Sequence, residues 1–199
     1  PDACQHLRYG RTPGPVRAGV DELDQWRDQD VWQPLSPVSP ARAERVEGSW
    51  LVVVPAGVAE AAEIGQQISQ VLVTADGAAQ VLELDATDPD RDDWAKALDT
   101  YPGSTGVVSL LALADNGDTS SGVIATVVLT QALLDSGLDA RLWALTRAAV
   151  GTGADDHVQD PVQAQVWGVG RVIGLEHPDQ WGGLVDLPAD PAEDVDVIE

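Results

Sequence analysis

The sequence predicts a doubly wound α/β domain, a mostly parallel sheet with helices on both faces. From Trp50 onward, strand-like and helix-like segments alternate. Most of the strand-like segments are short, unbroken apolar runs, as strands buried on both faces must be. Hydrophobic residues make up 44% of the 199 residues, enough to fill one core of ordinary size.

The elements follow in order. Residues 1–45 read as a linker or N-terminal extension. Pro13, Pro15, Pro34, Pro37 and Pro40 interrupt them, with one short strand near VWQPL. The domain proper is expected over 46–199. WLVVVP (50–55) is its first buried strand, and VAEAAEIGQQISQVLVTA (58–75) a helix. AQVLEL (79–84) is a strand, DRDDWAKALDTY (90–101) a short helix and GVVSLLAL (106–113) a third strand. SGVIATVVLTQALLDSG (121–137) is a long helix, with Ser121 as N-cap and Gly137 as its stop. ARLWALT (140–146) is a strand, and DPVQAQVWGVGRVIGLEHP (160–178) a helix. There Asp160 suits the N-cap, Pro161 the first position and Gln163 a capping box; His177-Pro178 ends it. GGLVDLP (182–188) is the last strand.

Charge narrows the partners. Lys+Arg number 11 against 33 Asp+Glu, a net charge of −22. Such a surface repels phosphate backbones and anionic membranes, so neither nucleic acid nor membrane is expected. The single cysteine, Cys4, cannot form an internal disulfide. No apolar run reaches the roughly 18 residues of a membrane span, and PDACQHLRYGRTPGP has no signal-peptide core. A cytoplasmic location is the expectation.

Gly168, Gly170 and Gly174 invite a search for a phosphate cradle. A dinucleotide loop must follow the first strand and open the first helix, whose N-terminus attracts the pyrophosphate. This trio lies inside a helix instead. Glycine there costs about 1 kcal/mol relative to alanine, so close approach of another element is the expected reason. After the first strand, PAGVAEAAEIG holds Gly57 and nothing more until Gly65. Asp85, where such folds keep a ribose-binding carboxylate, then reads as a turn residue. The frame of a nucleotide domain is expected without its site.

Other chemistry is equally absent. Neither Tyr9 nor Tyr101 has a lysine four residues on, and Lys96 is the sole lysine. The proton relay of a short-chain dehydrogenase, tyrosine beside lysine on one helix face, cannot be assembled. His6, His157 and His177 share no metal-ligand spacing. GADDH (153–157) reads as a solvated loop and His177 as a helix-end residue. The chain has seven tryptophans and no Phe or Met; Trp50, Trp143, Trp167 and Trp181 read as core.

QAQVWGVGRVIGLEHPDQWGGLVDLP resembles the corresponding stretch of ketoreductase domains in bacterial modular type I polyketide synthases. WLVVVPAG, GVVSLLAL and ARLWALTRAAVGTG do too, and the likeness runs from about Trp50 to Pro188. Val31, Trp32 and Pro34 keep part of the family's first strand, where Asp28 and Gln29 replace an expected aromatic. The resemblance implies a Rossmann-like, truncated short-chain-dehydrogenase fold. It is to the structural subdomain, the half that binds no cofactor and performs no chemistry. NADPH and catalysis would belong to the other half, which reduces the β-keto group of a chain on an acyl carrier protein. The parent would then be an enzyme, a synthase with acyltransferase and NADPH-dependent ketoreductase activities, and this fragment by itself would not. Expected partners are the catalytic ketoreductase subdomain, the acyl carrier protein and neighbouring synthase domains, an enoylreductase among them. The halves would meet through two helices, near 122–136 and 161–175. Val123, Val127, Leu133, Trp167, Gly168, Gly170 and Gly174 are the expected interface residues, and one apolar face would be exposed on the isolated fragment. Two other readings stay open. One is a freestanding module that recruits a carrier protein; the other is a divergent nucleotide-binding enzyme.

Overall fold

A computed structural model describes residues 5–8, 31–34, 46, 48–114, 120–152 and 157–189. Two short strands, β1 (Gln5–Arg8) and β2 (Val31–Pro34), pair antiparallel. The main sheet contains β3 (Ser49–Pro55), β4 (Ala78–Leu84), β5 (Ser104–Ser109), β6 (Arg141–Arg147) and β7 (Trp181–Leu187). All its pairings are parallel, in the order β4-β3-β5-β6-β7. Four helices connect them: α1 (Ala59–Thr74), α2 (Arg91–Leu98), α3 (Ser121–Ser136) and α4 (Ala164–Glu176). This is the Rossmann-like α/β fold that the alternation predicts.

The strand order sets the layers. One crossover moves from β3 to β4; the other three move the opposite way along the sheet. Right-handed connections therefore put α1 on one face and α2, α3 and α4 on the other. The side chains alternate to match. Leu51 and Val53 of β3 pack with Trp94, Leu98, Leu129 and Leu133. Val52 and Val54 pack with Ile64, Ile68 and Leu72 of α1.

Three element ends differ from expectation. Ser121 is the first residue of α3, and its N-cap is Ser120, which makes no side-chain cap bond. The third strand stops at Ser109, and Leu111–Ala114 form a 3₁₀ turn. Asp160 caps as expected, its Oδ1 accepting the amides of Val162 and Gln163, but residues 161–163 form a turn and the regular helix begins only at Ala164. Gln163 does not complete a capping box. Its Oε1 accepts the Arg147 amide instead, at 2.8 Å.

The tryptophans find room on glycines. A Cβ on Gly106 would lie 2.5 Å from Trp50, and one on Gly174 would lie 2.8 Å from Trp181. Trp143 covers Gly183, whose φ of +147° accompanies a register shift between β6 and β7. Trp167 is buried, whereas Trp50, Trp143 and Trp181 are half-buried. Where Phe is absent, a broad indole opposite a missing side chain fills the layer.

Trp167 also anchors a polar chain. Its Nε1 donates to Thr146 Oγ1 at 2.8 Å, and Thr146 donates to Asp186 Oδ1 at 2.6 Å. The Asp186 carboxylate further accepts the amides of Ala149 and Val150. These bonds hold the loop after β6, where Ala148 has a φ of +53°. The ring of Trp32 meets Trp167 edge-on at 5.6 Å, fixing β2 to the start of α4. Thr146→Val should leave the Trp167 N–H unpaired and cost about 1–3 kcal/mol. A thermal melt should show a midpoint several degrees lower with unchanged far-ultraviolet circular dichroism. An unshifted midpoint would mean that this chain of bonds carries no stability.

Candidate functional site

In a sheet of this order, ligands bind outside the carboxyl ends of the strands, where neighbouring crossovers diverge. Here that place lies between the ends of β3 and β5. Its groups are already engaged. The Ala56 amide donates to Leu84 O at 2.8 Å, and the Val58 amide is 3.5 Å from Pro55 O. Gly57, at φ +76°, forms the turn between them. Across the gap, the Leu110 amide donates to Val53 O at 2.8 Å. Leu110, Leu111 and Ala112, which follow β5, are buried in the core layers beneath the helices.

The charges at this end disfavour an anion as well. Glu60 stands in the first turn of α1, where the helix dipole would otherwise attract a phosphate. Its carboxylate lies 3.4 Å from Arg147 Nε. Asp85 accepts the amide and hydroxyl of Thr87 at 2.9 and 2.7 Å. The Thr87 hydroxyl, and then its amide, hold the Asp85 carboxyl below its usual range. Among the described residues, those at this crevice do not fit a dinucleotide: the amides of Ala56, Val58 and Leu110 already have acceptors, and Arg147 faces Glu60.

The remaining candidates do not converge. Lys96 pairs with Asp93 at 2.8 Å, and Tyr101 packs half-buried against the core beyond α2. His177 ends α4, and His157 is exposed. Tyr9 and residues 153–156 lie outside the described residues, and only the backbone of His6 is described. Among the described residues, no group of three or more His, Cys, Asp or Glu could hold a metal ion. No described helix is long and apolar enough to cross a membrane.

The second candidate is the outer surface of α3 and α4. Both connect parallel strands on one face, so they run side by side in the same direction. Their exposed and half-buried positions form matching stripes. On α3 these are Ile124, Val127, Gln131 and Leu134; on α4 they are Gln165, Gly168, Val172 and Leu175. Each stripe follows the spacing i, i+3, i+7, i+10 of a single helix face. These positions carry no charge, and the exposed carboxylates of Asp135 and Glu176 continue the two faces at their C-terminal ends. Leu175 is 84% exposed, Ile124 54% and Val172 50%. A groove lined by Val127, Leu134, Ile173, Glu176 and His177 runs between the helices.

The residues named from sequence divide here. Val127 and Gly168 stand on the stripes, and Val123 is half-buried against Ala112, Ala144 and Val166. Leu133, Trp167 and Gly170 are buried within the domain, which corrects their placement on an outer face. The spacing of Gly170 and Gly174 serves the domain's own packing: a Cβ on Gly170 would lie 2.8 Å from both Leu184 and Trp181. Close approach is indeed the reason for these two glycines, but the approaching element is β7. Leu134, Val172 and Leu175 were missed, although helical periodicity carries their signal.

Comparison with known proteins follows the geometry. Residues 30–198 match the family described as the Rossmann fold domain of polyketide synthase extender module SpnB. Polyketide synthase GfsB of Streptomyces halstedii is 44% identical over 185 residues, covering 83% of this chain. The pikromycin synthase component PikAII of Streptomyces venezuelae is 41% identical over 94% of the chain. The chain spans only 3% and 5% of those two proteins. Among solved structures, a C2-type ketoreductase from a modular polyketide synthase superposes with a TM-score of 0.64 at 38% identity. That match covers 78% of this chain and 37% of the other. A-type ketoreductases give 0.66 at 35%, covering 84% and 36%.

Two glycine variants separate inside from outside on α4. Gly168 has nothing within 4 Å of an added Cβ, so Gly168→Ala should stabilise the chain by about 0.5–1 kcal/mol through helix propensity. Gly170→Ala gains the same propensity but crowds Trp181 and Leu184, for a net loss of about 1 kcal/mol. Denaturant titration of the two variants should move their midpoints in opposite directions. A common direction would contradict the assignment of faces.

Proposed function

The chain belongs to the Rossmann-domain family of polyketide synthase extender modules and is ketoreductase-like in fold; from that premise we propose that it is the noncatalytic half of a ketoreductase. In this reading, residues 46–199 form the structural subdomain, and residues 1–45 are an extension that lends it a two-stranded sheet. The other half binds NADPH and reduces the β-keto group of a polyketide tethered to an acyl carrier protein. This half binds neither. It stabilises its sibling through α3 and α4, within a synthase whose carrier protein and further domains, such as an enoylreductase, lie nearby.

One observation carries the reading. Where this topology would hold a nucleotide, the described strand-end amides already have acceptors and Leu110 and Leu111 enter the core, while two adjacent helices offer exposed apolar stripes. A fold whose strand-end amides are taken and that keeps an unpartnered apolar surface is suited to bracing another protein. Loss of the brace would act through the stability of the catalytic half and the amount of it folded.

Calorimetry of the isolated chain with NADPH should give no saturable heat. Mixing the chain with a separately produced catalytic half of the same synthase should raise that half's melting temperature and its turnover of a β-keto thioester. Saturable NADPH binding by the chain alone would refute the proposal, as would a catalytic half indifferent to its presence.

A further inference from the structure

We infer that residues 190–199 form a fifth helix seated on the α1 side of the sheet, across β6 and β7. The inference is independent of the bracing role, because it concerns the face opposite α3 and α4.

Among the described elements, that side is only partly covered. α1 lies against β3 and β4, and right-handed connections put α2, α3 and α4 on the other face. Over β6 and β7 the α1 side presents Trp143 and Val185, both half-buried, with Gly183 beside the indole. A parallel sheet is covered on both faces, so a broad indole and a branched aliphatic side chain here call for another layer.

The chain leaving β7 is already turned that way. Arg147 shares the α1 side of β6 with Leu145, and its Nε faces Glu60 of α1. Its Nη1 donates to the Pro188 carbonyl at 3.0 Å, drawing the end of β7 toward this face. Residues 190–199 lie outside the described residues, and their sequence, DPAEDVDVIE, supplies what the face needs. Asp190 suits an N-cap, Pro191 the first helical position and Glu193 the third, a capping-box spacing. Ala192, Val195 and Ile198 recur at i, i+3 and i+6 on one side, with Glu193 and Asp196 away from it. Nine helical residues span about 13 Å, close to four residues of strand. Running back from Leu187, they reach Val185, and Gly183 with its neighbour Trp143. Charge agrees as well. The face carries Arg147 at one end and the exposed Arg141 at the other, and the segment carries five carboxylates. A second copy of the chain would instead set one body of charge −22 against another.

Hydroxyl-radical footprinting read by mass spectrometry measures the cover over Trp143. Trp94 of α2, buried on the other face, reports the fold. Val195→Asp and Ile198→Asp should each raise the oxidation rate of Trp143 severalfold and lower the melting temperature, with Trp94 unchanged. Val197→Asp, turned away from the apolar side, should behave as wild type. Sensitivity at 195 and 197 but not at 198 is the period of a strand and overturns the helix. Indifference of Trp143 to all three variants overturns the cover itself. Protection of Trp143 that depends on protein concentration assigns the face to a second copy and overturns the inference too.

Discussion

The close of β5 is the constraint on which the nucleotide-site end of this sheet depends. The Leu110 amide donates to the carbonyl of Val53, the last rung between β5 and β3, and the Leu113 amide then returns to the Leu110 carbonyl, turning the chain. The leucines that follow enter the two core layers, Leu110 on the α1 side and Leu111 on the other. On the opposite lip, the Ala56 amide is taken by Leu84 O at the end of β4, the Val58 amide lies against Pro55 O, and Glu60 meets the dipole of α1.

The unsatisfied surface lies elsewhere. α3 buries Ala125, Leu129 and Leu133 against its own sheet yet remains apolar on its outer side. Solvent-facing helices usually alternate apolar and polar faces, as α1 does with Glu63, Gln66, Gln67 and Gln70 outward. The contrast between α1 and α3 in one chain is the physical basis for proposing a partner on the α3 side. The glycines of α4 have a related but separate cause. They let the helix settle on Trp181 and Leu184, which in turn sets the height of the Val172 and Leu175 stripe.

Much of this was legible before any coordinates. Parallel strands buried on both faces leave continuous apolar runs, and those runs located all five strands of the main sheet. The missing glycine loop and the missing tyrosine–lysine pair are also plain in the residues. What stayed hidden has a common physical origin. LLAL reads like more strand, because a buried 3₁₀ turn is as apolar as a strand and only the local bond from the Leu113 amide to the Leu110 carbonyl distinguishes it. The helix that is apolar all round gives no polar face from which to tell inside from outside, so Leu133 and Leu134 are indistinguishable by type. For Gly170 and Gly174, sequence required a close neighbour but could not say that the neighbour was β7.

The bracing role is tested most directly at Leu175, the most exposed large apolar side chain among the described residues. Leu175→Arg touches nothing in the interior, so the isolated chain should melt as wild type does. Titrated into the catalytic half, the variant should fail to bind or to raise its melting temperature. Wild-type binding by a folded Leu175→Arg chain would contradict a docking role for this face.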